Sequence, residues 1–185
     1  MLGGSSHEPN ALLAREIADR TVTLMAPSKT FNLPGLGIGF AVVTNENLRR
    51  RFRRAAFDLV PTPNVLAMAA TEAVYAGECD AWHEQLLTYL TANRDELASF
   101  VRERLPGVKA TLPTATYLCW LDCHAAGISG TPFEFFLKNA NVALADGAEF
   151  GGNSGQCVRL NFGCPRSQLR AALENMAEAL RQKPA

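Results

Sequence analysis

The sequence predicts an α/β protein in two parts, and three observations carry that reading. Strand-like and helix-like apolar patterns alternate along the 185 residues without an internal repeat. A long helical pattern near residues 81–105 divides the chain. Residues 1–80 place helices after a few strands, and residues 81–185 read as a compact α+β unit of about 100 residues. The composition also suits a folded chain, with 48% hydrophobic residues and 18 Lys+Arg against 18 Asp+Glu. Disorder needs low hydrophobicity and high net charge. A neutral chain lacks the basic excess that a phosphate backbone demands, so nucleic acid is not an expected partner. No apolar run approaches the ~18 residues that span a bilayer, and no charged-then-apolar leader opens the chain. A cytoplasmic protein without a membrane partner is expected.

The run Gly3-Gly4-Ser5-Ser6 favours neither helix nor strand, and Ala11 to Arg20 has a helical pattern. Thr21 to Ala26 is β-prone. It runs into Pro27–Gly37, where two prolines and two glycines predict an irregular loop. Ile38 to Val43 reads as a buried strand. In the following helix Leu48, Phe52, Ala55, Ala56 and Leu59 share one face, and arginines 49, 50, 51, 53 and 54 make a solvated surface rather than a nucleic-acid patch. Thr62-Pro63 is read as the N-cap and first-turn proline of a helix over Val65 to Tyr75.

The long helix has Trp82, Leu86, Leu90, Leu97, Val101 and Leu105 at helical spacings, makes Trp82 a core residue, and closes at Pro106-Gly107. Strands are expected at Val108 to Leu112 and Ala115 to Asp122. Thr131-Pro132-Phe133-Glu134 has the form of a capping box opening a helix with Phe133, Phe136, Leu137 and Ala140 on one face. Strands near Asn141 to Leu144 and Cys157 to Phe162 precede a last helix striped by Leu169, Leu173, Met176 and Leu180.

The cysteines at 79, 119, 123, 157 and 164 are odd in number and form no CxxC pair. They read as reduced, mostly buried thiols. The nearest approach to a ligand cluster, Cys119, Cys123 and His124, lacks zinc-site spacing, so no metal is expected. Gly35-Leu36-Gly37-Ile38-Gly39 lacks dinucleotide-site spacing and precedes a strand.

Lysine is more informative. Lys109, Lys138 and Lys183 sit at a strand start, a helix end and the C-terminal tail. Lys29 instead follows an apolar strand inside a Pro/Gly-shaped loop, where a positioned amine could act as a nucleophile. Further along, alternation puts Val158, Leu160 and Phe162 on one face of a strand, and Cys157, Arg159 and Asn161 on the other. Arg159 thus points away from the apolar side. Its guanidinium fork matches a carboxylate in two parallel hydrogen bonds.

The string Ala26-Pro27-Ser28-Lys29-Thr30-Phe31-Asn32-Leu33-Pro34-Gly35-Leu36 resembles the cofactor-lysine segment of fold-type I pyridoxal-phosphate enzymes, the class I/II aminotransferase superfamily. Val158-Arg159-Leu160-Asn161-Phe162-Gly163-Cys164-Pro165-Arg166 is similar to the segment that carries the substrate-carboxylate arginine in the cystathionine β-lyase and C–S lyase branch. Ala115-Thr116-Tyr117-Leu118 with Trp120, and Val142-Ala143-Leu144 with Gly147 and Phe150-Gly151, also look like that family and fall in its order. The resemblance runs from about His7 onward.

The resemblance implies a remnant of the fold-type I large domain over 1–80, followed by a complete small C-terminal domain over 81–185. It implies that Lys29 binds pyridoxal 5′-phosphate and serves as the base at Cα, and that Arg159 binds the α-carboxylate of an amino-acid substrate. Ser28 would donate a hydroxyl to the cofactor phosphate or cap a turn, and Arg166 is structural. Many aminotransferases carry a serine three residues before the lysine and an arginine eight after it; Ala26 and Gly37 stand there. This favours a C–S β-lyase, which releases pyruvate, ammonia and a thiol from a sulfur amino acid, over an aminotransferase. The family places further cofactor residues before the lysine strand, and only 28 residues precede Lys29. The expectation is therefore the latter part of a longer, homodimeric enzyme, inactive by itself. A reading of another class is a non-catalytic folding, dimerisation or binding module derived from that family.

Overall fold

The computed structural model describes residues 1–2, 4 and 6–183. Gly3 and Ser5, part of the small-residue run, lie outside the described residues. The described residues form two compact units, Ser6–Gln85 and Met1–Ser5 with Leu86–Ala185.

The first unit begins with a 3₁₀ turn at Asn10–Leu12 and a single turn of helix, α1 (Arg15–Ala18). The helical pattern expected over Ala11 to Arg20 is therefore broken in two. Strands β1 (Thr23–Met25) and β2 (Phe40–Val42) pair antiparallel, with Leu24 opposite Ala41. Between them the supposedly irregular segment holds one turn of α-helix, α2 (Pro27–Thr30), and a 3₁₀ turn at Pro34–Leu36. Both turns open on proline, whose fixed φ suits a first helical position. Gly37, at φ 58°, ends the second in the left-handed conformation that glycine adopts without strain.

Helices α3 (Glu46–Ala56) and α4 (Val65–Tyr75) follow. Asn45 caps α3 by accepting from the Leu48 N–H at 3.0 Å, and Leu59 lies beyond its end. The cap of α4 is Asn64, not Thr62: its Oδ1 accepts from the Ala67 N–H at 2.8 Å. Asparagine outranks threonine as a cap, and its placement moves Pro63 out of the helix. β2 is not a buried strand, since Phe40 and Val42 are exposed, and Trp82 is also exposed.

Helix α5 (Asp80–Arg104) begins in the first unit and continues into the second. The second unit contains β3 (Lys109–Thr111), β4 (Leu118–Asp122), α6 (Pro132–Ala140), β5 (Ala145–Asp146), β6 (Cys157–Asn161) and α7 (Arg166–Gln182). Its sheet runs β3-β4-β6-β5, antiparallel throughout. β4 starts later than expected because Thr116, at φ 68°, turns the chain just before it. The strand expected at Asn141 to Leu144 is displaced to Ala145–Asp146, since Asn141 takes the left-handed conformation that closes α6. Thr131 caps α6 by accepting from the Glu134 N–H at 3.3 Å.

One core holds the second unit together. Leu97 and Val101 of α5, Leu121 of β4, Val158 and Leu160 of β6, Phe136 of α6, and Leu169, Leu173 and Met176 of α7 are all buried in it. The unit is α/β in content, with its helices packed through this core.

Candidate active site

Lys29 stands on α2, immediately after β1. α2 is held by a Schellman-type end: the Leu33 N–H reaches back to the Ser28 carbonyl at 3.0 Å, while Asn32 between them has φ 54°. Phe31, the C-cap, packs edge-on against Tyr75 with ring centroids 6.2 Å apart and lies 5.5 Å from the His83 ring. Phe31 and Asn32, for which sequence reasoning found no role, therefore hold the lysine turn. The asparagine was the readable signal, because a helix stop in the left-handed region takes Gly or Asn.

Pro27 and Ser28 are buried beneath the turn, while Lys29 is exposed. The Lys29 ammonium makes no hydrogen bond or ion pair with any described residue. The Ser28 hydroxyl likewise bonds to no described residue, and α2 has no side-chain cap. A serine that neither caps nor pairs keeps its donor for something else.

Arg159 belongs to the second unit, on a different element from Ser28 and Lys29. It lies in β6 opposite Trp120 of β4 and beside Ala145 of β5. Directly paired residues share a sheet face, so Trp120, Arg159 and Ala145 form one row across the sheet. Val158 and Leu160 face the core and are fully buried, whereas Arg159 is half-buried. Its guanidinium rests over the Phe150 ring at 4.5 Å, and Phe150 packs edge-on to Trp120 at 5.6 Å. Phe150 reaches there through a 3₁₀ turn, Gly147–Phe150, opened by Asp146, which accepts from the Ala148 N–H. Gly147 is required at its start, since a Cβ would collide with the carbonyl oxygens of Ser154 and Cys157.

The two arginines of this segment have opposite surroundings. Arg166 donates to Asn93 Oδ1 at 3.0 Å, pairs with Glu96 at 3.5 Å and stacks on Tyr89 at 5.0 Å. Its backbone N–H also donates to the Tyr89 hydroxyl at 2.6 Å. Asn93 is buried and donates to the carbonyls of Phe162 and Cys164, tying the chain after β6 to α5. Arg159, by contrast, has no hydrogen bond or carboxylate partner among the described residues. An aromatic stack leaves the guanidinium edges free, and these edges carry the fork that grips a carboxylate. Asn93 did not stand out in sequence, and Phe150 entered only within a family-like string, without a role. A polar residue within a helical apolar pattern was the only trace of Asn93.

The cysteines are free thiols. Burial pushes the Cys119 thiol up to about 11. Burial, with the neighbouring Cys157 and Asp122, pushes Cys123 up to about 12. Both are therefore poor nucleophiles at neutral pH.

The fold and these motifs place the chain in a class of proteins. Residues 1–176 match the family aminotransferase class I and II, and the chain belongs to that family. Among its relatives is cystathionine beta-lyase PatB of Bacillus subtilis (strain 168), 36% identical over 183 residues that cover 97% of this chain and 47% of the relative. The crystal structure of OvoB matches with a TM-score of 0.91 and 42% identity, covering 98% of this chain and 46% of that one. Cystalysin from Treponema denticola, whose crystal structure contains pyridoxal 5′-phosphate, matches with a TM-score of 0.90 and 28% identity, covering 97% and 46%. The chain thus spans about half the length of these relatives.

Proposed function

We propose that this chain is the latter part of a pyridoxal-phosphate-dependent C–S β-lyase, with residues 1–80 ending the cofactor domain and 81–185 forming the small domain. The observation that carries the reading is Arg159: half-buried, stacked on Phe150 and without a carboxylate of its own. A buried or half-buried charge is normally paired, so a guanidinium left with free edges suits a ligand carboxylate. An amino acid's α-carboxylate is the ligand this reading gives it, and the bidentate grip would fix the direction of the Cα–H bond.

The residues present fit the cofactor. Lys29 offers an exposed, unpaired primary amine on a turn held by Phe31 and Asn32, and Ser28 offers an unpaired hydroxyl beside it. When bound, pyridoxal 5′-phosphate supplies an electron sink for negative charge developed at Cα. Lys29 would anchor the cofactor and, once released, take the proton from Cα; Ser28 would donate to the phosphate. In β-elimination the Cβ–S bond then breaks and the sulfur leaves as a thiol. One water is consumed as pyruvate and ammonia form. The lyase branch is supported by the relatives named cystathionine beta-lyase and by Ala26 and Gly37, which supply neither a hydroxyl nor a guanidinium to a phosphate. A homodimer is part of the same reading.

The test is chemical trapping. Incubation of the chain with pyridoxal 5′-phosphate, borohydride reduction and peptide mass mapping should give an adduct concentrated at Lys29. An adduct spread evenly over Lys109, Lys138 and Lys183 would remove Lys29 from the role. In parallel, the 185-residue chain alone should release little or no pyruvate from a cysteine conjugate. Robust release abolished by Lys29→Ala would overturn the reading of an incomplete enzyme.

A further inference from the structure

The sheet that carries Arg159 brings together three side chains that lie far apart in sequence or belong to different chemical classes. Asp122 ends β4 and is the direct partner of Cys157 at the start of β6. Paired residues project from the same face, so the ladder itself sets a carboxylate beside a thiol. His124 lies just past the strand. Its backbone N–H donates to Asp122 Oδ1 at 3.0 Å, and its Nδ1 lies 2.7 Å from the same oxygen. One ligand atom from each of Asp122, His124 and Cys157 falls within 4.8 Å of the other two.

We propose that Asp122, His124 and Cys157 form a binding site for one borderline divalent metal ion of the zinc or cobalt(II) type. Bonds of about 2.0–2.3 Å to oxygen, nitrogen and sulfur hold tetrahedral ligand atoms about 3.3–3.7 Å apart. That spacing lies between the 2.7 Å Asp122–His124 contact and the 4.8 Å limit of the set. Small side-chain shifts therefore close the site, and they fall on the groups able to move. His124 is exposed and Asp122 half-buried, whereas Cys157 is buried and held by the sheet. The donor set is mixed, and thiolate with imidazole selects zinc-like ions over the hard cations that prefer oxygen alone. Three protein ligands leave a fourth position for water. Lys109, opposite Asp122 on β3, is the cation facing the carboxylate and limits affinity.

Of the Cys119, Cys123 and His124 grouping visible in the sequence, the set takes only His124. Those cysteines alternate to the core side of β4 or pass beyond its end, while Cys157 enters through strand pairing. The proposal is independent of Lys29, Arg159 and the cofactor.

Titration of the reduced, full 185-residue chain with cobalt(II) tests it. One equivalent should bind with tetrahedral d–d bands and a thiolate-to-cobalt charge-transfer band, both removed by competing zinc. Cys157→Ser should abolish the charge-transfer band. His124→Ala, at an exposed position where folding is not at stake, should weaken cobalt binding by roughly tenfold or more. The proposal is overturned if no saturable band forms, if the band survives Cys157→Ser or disappears instead with Cys79→Ser, or if His124→Ala leaves the affinity unchanged.

Discussion

The two units treat similar apolar residues in opposite ways. In the first, Leu24, Phe57, Leu59, Val65 and Leu66 are each more than two-thirds exposed, and the buried apolar side chains reduce to a few such as Val43, Ala67 and Val74. In the second, Leu97, Leu121, Phe136, Val158, Leu173 and Met176 lose essentially all contact with water. The amphipathic pattern of α3 is no weaker than that of α7, yet α3 buries no residue. Periodicity states which face of a helix could be buried; burial follows only where another layer covers that face. The proposed carboxylate grip is thus mounted on a rigid sheet, whereas the lysine turn depends on local devices: a proline start, a Schellman end and an aromatic contact.

The sharpest way to break this contrast is to cut side chains from each unit and compare the losses. Phe136→Ala or Leu173→Ala should destabilise the second unit by about 3–5 kcal/mol, whereas Leu24→Ala and Leu59→Ala should change stability by no more than about 0.5 kcal/mol. Urea unfolding can separate the units, because Trp82 belongs to the first and Trp120 to the second. Trp82→Phe leaves fluorescence reporting on the core-bearing unit alone. Equal costs in both units would refute the contrast.

A smaller effect is expected at Asn93. Asn93→Ala strands the Phe162 and Cys164 carbonyls and removes an Arg166 partner. A loss of about 1–3 kcal/mol should follow, seen as a lower urea midpoint at unchanged slope. Asn93→Asp, which keeps the acceptor but loses both donors, should recover little of it.

A further effect, confined to alkaline pH, is in the pH profile. Cys119 and Cys123 are raised from an ordinary 9.0 to about 11 and about 12 in the folded chain. An unfolded thiol ionises first, so above pH 9 the unfolded state holds fewer protons and stability falls as pH rises towards 11–12. Below pH 9 this contribution is fully present. Cys123→Ala should flatten the alkaline decline in melting temperature, and an unchanged profile would mean that the thiol is not kept neutral by burial. Asp122 has the opposite sign: its hydrogen bonds from His124 hold its carboxyl low, so their support fades only as acid protonates it.

Much of the fold could be read along the chain. Thr131 could be named as a cap, and α7 placed by its leucines, because both depend on interactions within one or two turns. The errors fall where two local signals competed. Thr62-Pro63 is a sound helix start, but Asn64 is a better one and stands two residues on. Pro27–Gly37 contains too many breakers for a long helix, yet a single turn needs only a proline at its start and an asparagine at its end. Trp82 has helical spacing, but the first unit supplies no layer to bury it.

By itself the sequence determined the order of helices and strands, the side of β6 on which Arg159 would lie, and the candidate status of Lys29. These follow from 3.6- and 2-residue periods and from short strings, all local properties. Only the tertiary structure decided which strands became neighbours: β6 lies between β4 and β5 although β4 is separated from it by a helix, a strand and two 3₁₀ turns. That pairing sets Trp120 and Phe150 against Arg159 and sets Asp122 against Cys157. Arg166 is likewise held by Tyr89 and Asn93, more than 70 positions away. Backbone ladders join segments without regard to their distance in sequence, and no periodicity within one segment encodes its partner.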